Sequence, residues 1–169
     1  METKDHEKNR QFLAAVYESP SKAEQLLRID PQFLHYRSIA GETPFHYLVV
    51  ENDIARAAKL LDWGADINTQ DDFGATPLIH AVTLGHLDLV KWLVQHGSNL
   101  ELKNVNGETA LATATSNEKA GIFQFLVSLP RKHPVDFYYD DDTAQNIYDD
   151  KELVMRAHLI SLGLSERYA

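Results

Sequence analysis

Histidine and acidic side chains are the groups in this chain that could bind a metal ion or carry general acid–base catalysis. The 169 residues include eight histidines and 25 acids. A zinc site needs several ligands close together, as in the HExxH pattern, which places two histidines one helical turn apart. No such pattern and no other dense group of histidines occurs. We therefore predict that the histidines, including His46, His80 and His86, have structural or surface roles and that the chain holds no metal.

Sequence patterns for nucleophilic catalysis and phosphate binding are also absent. The chain has no GxSxG elbow, no GxxxxGK[ST] loop and no GxGxxG after a strand pattern. It has no cysteine, which excludes a thiolate nucleophile, cysteine-bound zinc and disulfides. Trp63 and Trp92 lie on predicted helices, where we expect them to pack rather than to stack on a ligand. The sequence predicts a protein that is not an enzyme and needs no cofactor.

The densest charged group lies at residues 136–152. Seven acids face one base there, Lys151, so this segment carries −6 of the chain's net −9. Tyr138 and Tyr139 adjoin the triplet Asp140–Asp142. Three interpretations stay open: a solvated turn, an acidic aromatic edge that binds a basic protein, as a nucleic-acid mimic would, and a metal or small-ligand site. The segment lacks the glycine and terminal glutamate of an EF-hand loop.

Composition places the chain among ordinary globular proteins. Hydrophobic residues make up 44% and charged residues 24%, and no apolar run approaches the roughly 20 residues of a membrane span. The first eight residues are mostly charged and polar, unlike a secretory signal. The net charge of −9 disfavours nucleic acid as a partner, because phosphate binding needs clustered Lys and Arg. We expect one cytoplasmic domain, 1–169, that acts as a monomer away from membranes.

An internal repeat of 33 residues organises the sequence. Gly41-Glu42-Thr43-Pro44-Phe45 returns as Gly74-Ala75-Thr76-Pro77-Leu78 and as Gly107-Glu108-Thr109-Ala110-Leu111. The same 33-residue step links Leu27, Leu60, Leu93, Leu126 and Leu159, and four residues after each leucine stands a glycine or a proline. Fixed periods of this length are typical of stacked repeats.

Each repeat carries the signals of two helices. The threonine before the proline can cap a helix whose first residue is that proline. Gly64 and Gly97 suit the left-handed residue that ends a helix. In the first copy we predict one helix from about Glu7 to Tyr17 and a second that a capping box, Ser21-Lys22-Ala23-Glu24, opens and Asp30-Pro31 closes. Apolar residues at 87, 89, 90, 93 and 94 form the stripe of a packed helix.

These residues resemble the ankyrin family, whose unit is a β-turn followed by two antiparallel helices and whose signature includes Thr-Pro-Leu-His-x-Ala. The third copy matches best, through Gly74-Ala75-Thr76-Pro77-Leu78-Ile79-His80-Ala81 and Gly85-His86. The resemblance implies an all-α repeat solenoid of five stacked units, near 5–37, 38–70, 71–103, 104–136 and 137–169. It also implies that His46 hydrogen-bonds within and between turns, whereas His80 stands one residue beyond that position.

The resemblance further implies that the chain binds another protein through its projecting turns and inner helices. Carried over by position, the expected protein-binding residues are Arg37, Ile39, Glu42, Gln70, Asp72, Phe73, Thr83, Leu84, Lys103, Val105, Asn106, Glu108 and Asn117. Phe73 is the strongest candidate, because aromatic anchors dominate interface energies. It could instead fold back onto a neighbouring turn.

The expected function is that of an adaptor or of a dedicated inhibitor, such as an immunity protein against a toxin. The alternatives are an acidic mimic of nucleic acid that binds a basic protein, and a metal or small-ligand site among the Asp and His groups.

Overall fold

A computed structural model of the chain describes residues 4–129. Within this range, eight α-helices and one short 3₁₀ turn, Pro31–Leu34, follow one another without strands. The helices are α1 (Lys4–Glu18), α2 (Pro20–Ile29), α3 (Pro44–Val50), α4 (Ile54–Asp62), α5 (Pro77–Leu84), α6 (Leu87–Gln95), α7 (Ala110–Ser116) and α8 (Ala120–Ser128).

Successive helices pack as pairs, α1 with α2, α3 with α4, α5 with α6 and α7 with α8. The first helices of the pairs stack on one another as an inner layer, α1 on α3, α3 on α5 and α5 on α7, and α6 packs on α8 in an outer layer. This arrangement is the all-α repeat solenoid that the sequence predicts. Four of the five predicted pairs lie in the described range, and the last unit, 137–169, lies outside the described residues.

The core is continuous from pair to pair because each pair buries its apolar stripe against the next. The periodic leucines Leu60 and Leu93 are fully buried and Leu126 nearly so. Burying one such side chain contributes about 1.5–3 kcal/mol. A single pair has too little apolar surface to fold alone, so stacking supplies the stability.

Most helix ends follow the predicted signals. Thr76 Oγ1 accepts from the Ile79 amide at 3.2 Å and Thr109 Oγ1 from the Ala112 amide at 3.3 Å, so both threonines are N-caps. Gly64 and Gly97 adopt φ angles of +98° and +91° just after α4 and α6, as the predicted helix stops require.

The predicted start of α2 is wrong. The helix begins at Pro20, and the capping oxygen belongs to Ser19, which accepts from the Lys22 amide at 3.3 Å. Ser21 lies inside the helix. Pro20 explains the difference, since its fixed φ suits the first helical residue and places the cap immediately before it. Helix α1 also begins earlier than predicted, at Lys4 instead of Glu7.

Long-range polar contacts join α1 to the segment before the first turn. The Asn9 side chain, which is buried, donates to the carbonyls of Tyr36 at 2.7 Å and of Glu42 at 3.0 Å. Lys8 Nζ lies 2.9 Å from Asp30 Oδ2, which also accepts from the Tyr36 hydroxyl at 2.7 Å. These contacts fix the first helical pair against the first turn.

Among residues 4–129, no helix has both the length and the apolar character that crossing a bilayer requires.

Candidate functional site

The three turns between the helical pairs are each closed by one polar side chain at an equivalent position. Ser38, Asp71 and Asn104 stand 33 residues apart, and in each the side-chain oxygen accepts from the amides two and four residues later. The distances for Asp71 are 2.9 Å to the Phe73 amide and 2.8 Å to the Ala75 amide. These bonds give the three turns the same shape.

Backbone hydrogen bonds also connect one turn to the next. The Asp72 amide donates to the Ala40 carbonyl at 3.1 Å, and the Val105 amide donates to the Phe73 carbonyl at 2.9 Å. The same register therefore repeats at both junctions. It fixes the positions of the three turns relative to one another.

A second contact, made by side chains, recurs at the base of the turns. Arg37 donates from Nη1 to the Gly41 carbonyl at 3.0 Å and to the Gln70 carbonyl at 2.8 Å. One repeat later, Gln70 donates from Nε2 to the Gly74 carbonyl at 2.7 Å and to the Lys103 carbonyl at 2.9 Å. Each side chain thus holds its own turn and the start of the next one. We call this arrangement the turn bracket.

The turns expose one large apolar side chain each. Ile39 is 71% exposed, Phe73 61% and Val105 68%, and we call these three residues the tip row. The amides of Phe73 and Val105 are held by Asp71 and by the Phe73 carbonyl, so their backbone is fixed while their side chains project. Phe73 does not fold back into the core.

Each turn also carries one acid, and we call Glu42, Asp72 and Glu108 the tip acids. Glu42 accepts from the Ser38 hydroxyl at 2.9 Å. Glu108 accepts from the Asn104 amide group at 3.0 Å and from the Ser116 hydroxyl at 3.1 Å. Asp72 is exposed. Because these donors are neutral, the carboxylates keep their negative charge at the surface.

The other predicted contact residues lie on the same side of the molecule or at the ends of its inner helices. Thr83 is exposed, and its hydroxyl donates to the Ile79 carbonyl at 2.9 Å. Leu84 ends α5 and is 45% exposed. Asn117 follows α7 at the equivalent end, and Lys103 and Asn106 are exposed on the third turn. The structure therefore brings the predicted residues onto the turns and the adjoining helix ends.

A buried polar network connects the first two turns beneath the tip row. His46 is fully buried, and its Nδ1 accepts from the Thr43 amide at 3.2 Å and from the Thr43 hydroxyl at 2.9 Å. Its Nε2 donates to the Ala75 carbonyl at 3.3 Å. These bonds confirm the prediction that His46 connects the turns. Burial, together with the nearby His80, lowers the pKa of His46 to about 4.

His80 has a different partner. Its Nε2 lies 2.8 Å from Asp71 Oδ2, and its ring meets the His46 ring edge to face with centroids 5.7 Å apart. The Asp71 side chain is only 2% exposed. One aspartate therefore closes the Phe73 turn with one oxygen and holds His80 with the other.

Sequence reasoning missed the roles of Ser38, Asp71 and Asn104. Their signal is the 33-residue spacing of three short polar residues, each three residues before a turn glycine. Side chains of this type commonly bond to backbone amides two residues on. The pattern was present, and only the chemical difference between Ser, Asp and Asn obscured it.

The described residues contain no group of three or more His, Cys, Asp or Glu side chains arranged to hold a metal ion. The acidic aromatic segment around Tyr138 and Asp140–Asp142, with its metal and nucleic-acid-mimic interpretations, lies outside the described residues.

Comparison with known proteins agrees with this geometry. A family model described as ankyrin repeats (3 copies) matches residues 45–136. Ankyrin repeat domain-containing protein 13B of Mus musculus is 36% identical over 88 residues, which are 52% of this chain and 14% of that protein. NF-kappa-B inhibitor alpha of Sus scrofa is 33% identical over 126 residues, 69% of this chain and 40% of that protein. A putative ankyrin repeat protein of Rickettsia felis is 29% identical over 125 residues, 73% and 41%. The chain spans less than half the length of each of these relatives.

Proposed function

Because this chain belongs to the ankyrin-repeat family, whose repeats are protein-interaction modules, we propose that it binds one partner protein through the tip row and the inner helices behind it. The observation that carries the proposal is the tip row itself. Three apolar side chains project at equivalent places on successive turns, and each turn backbone is held by bonds to its own residues and to its neighbour.

Phe73 is the proposed anchor of the interface. It occupies the middle turn, so a partner that covers the tip row would bury it most completely, and buried aromatic residues at the centre of an interface contribute most to affinity. Its fixed backbone also lowers the entropy lost on binding. Ile39, Val105 and Leu84 would extend the contact on either side.

The proposal includes two forms, an adaptor and an inhibitor. The name of the relative NF-kappa-B inhibitor alpha states that this protein is an inhibitor, which supports the inhibitor form for this chain. The two forms differ in what happens to the partner: an inhibitor lowers the partner's own activity at stoichiometric concentration, whereas an adaptor leaves it unchanged.

We further propose that the chain acts as a monomer, binds no nucleic acid and catalyses no reaction. The excess of acids over bases supports the second point, since a net charge of −9 repels phosphate backbones. Light scattering coupled to size exclusion tests the first point, and a gel-shift titration with mixed DNA and RNA tests the second.

The experiment that tests binding is affinity capture from a lysate of the native cells with wild type, Phe73→Ala and Ile29→Ala. Ile29 is the matched control, because it is an apolar side chain, 79% exposed, at the end of the outer-layer helix α2. We expect a protein that wild type and Ile29→Ala retain equally and that Phe73→Ala loses. Equal retention by all three would remove the tip row from the interface, and loss that disappears only in high salt would favour the acidic nucleic-acid mimic.

A further inference from the structure

Each described turn presents one apolar and one acidic side chain together. Ile39 shares its turn with Glu42, Phe73 with Asp72 and Val105 with Glu108. The two bases nearest to them, Arg37 and Lys103, stand at the bases of the turns, and Arg37 is occupied by the turn bracket. A partner surface therefore meets three apolar groups flanked by three negative charges in a row.

The spacing of this row is set by the stacking of the inner helices. Packed helices lie about 8–10 Å apart, so the three turns span about 16–20 Å. Seven residues of α-helix rise about 10.5 Å and return to the same face, so a partner helix with apolar residues at i, i+7 and i+14 matches all three turns. In an extended strand, residues three apart have a similar spacing but point to opposite faces.

The width of the surface also fits a helix. Helix α5 rises about 12 Å from the base of its turn to Leu84, and a helix with its side chains is about 10–12 Å wide. Leu84 and Val50, 45% and 38% exposed, lie at the far ends of α5 and α3. A partner helix can contact both the tip row and this second apolar edge, whereas a narrower polyproline segment reaches only one of them.

We propose that the partner contributes an amphipathic helix of about 15 residues with a basic flank, whose apolar stripe covers the tip row and whose Lys or Arg side chains meet the tip acids. This inference rests on the proposed function and specifies the chemistry of its partner. The opposite charges also orient the helix, because only one flank faces Glu42, Asp72 and Glu108.

The test is a selection of random 18-residue peptides displayed on phage against the immobilised full chain, with a counter-selection on Phe73→Ala. We expect the enriched peptides to carry apolar residues at a seven-residue spacing and a net positive charge, and the synthetic peptide to become helical on binding. A triple variant, Glu42→Gln, Asp72→Asn and Glu108→Gln, keeps the shape of each side chain and should weaken that peptide about tenfold at low salt.

A charge-matched triple, Glu7→Gln, Glu24→Gln and Asp62→Asn, removes three exposed acids away from the turns and should leave the affinity unchanged. Enriched peptides that depend on Phe73 but are neutral, acidic or proline-rich would overturn the inference and leave the proposed function standing. Peptides that bind Phe73→Ala equally well, or no enrichment at all, would count against both.

Discussion

Acid should unfold this protein through His46 before its carboxylates are protonated. The neutral ring accepts from Thr43 and donates to the Ala75 carbonyl in the next repeat. Protonation would turn the accepting nitrogen into a donor facing the Thr43 amide and would place a charge in a fully buried position. The unfolded chain takes up this proton more readily than the folded chain, so stability falls as the pH falls.

The size of the effect follows from the two pKa values. The ordinary value is 6.5 and burial lowers the folded pKa of His46 to about 4. The stabilisation is fully present above pH 6.5 and is lost as the pH falls from there through 4. For one group with these values, the loss is about 2 kcal/mol between pH 7.5 and pH 5, and about 3 kcal/mol by pH 4.

Urea unfolding of wild type and His46→Gln at pH 7.5 and pH 5.0 measures this loss. Glutamine can accept and donate as His46 does but does not titrate, so the difference between the two pH dependences isolates the ring. Wild type should lose about 2 kcal/mol more than the variant over this range. An NMR titration of the His46 ring gives the folded pKa directly. Parallel losses, or a folded pKa near 6.5, would refute the reasoning.

Three further changes test the backbone and the core. Glu118 adopts φ +54°, so Glu118→Gly should raise the free energy of unfolding by about 0.5–1 kcal/mol while Glu118→Ala does not, as urea midpoints would show; an equal gain from alanine would exclude relief of strain. Gly41 and Gly107 share φ near +80°, but a Cβ at Gly41 would lie 2.2 Å from Asp72 Oδ1 and one at Gly107 meets nothing within 4 Å. Gly41→Ala should therefore cost at least about 2 kcal/mol and Gly107→Ala about 1 in thermal unfolding, and equal costs would contradict the contact. Asn9→Ala leaves two backbone carbonyls without their donor and should cost about 2–3 kcal/mol in urea unfolding, whereas a change below 0.5 would show that water replaces the side chain.

Periodicity made the solenoid and the position of the tip row predictable. The 33-residue register of Leu60, Leu93 and Leu126 identified the core, and the turn glycines located the projecting residues. The side chain of Phe73 projects for the same reason, since a turn between two packed helical pairs has no core of its own. A short repeated pattern contains this information because each unit meets the same neighbours.

Features that break the period could not be predicted in the same way. Asn9 and Lys8 contact residues 22 to 33 positions away in the first unit, where no preceding turn exists to supply a template. The start of α2 was misplaced because Ser19 and Ser21 both offer a capping hydroxyl and the choice depends on Pro20. His80 found Asp71 only through folding, since its position departs by one residue from the family pattern.

The turn bracket makes the length of this molecule editable. Arg37 and Gln70 form the same two bonds at successive junctions, although one is a cation and the other an amide. A unit cut out at residues 71–103 would leave Gln70 facing the turn that begins at Asn104, with the carbonyl of Gly107 in the place of Gly74. The joint is thus interchangeable, and a gene that gains or loses 33 codons here lengthens or shortens the binding surface without needing a new fit.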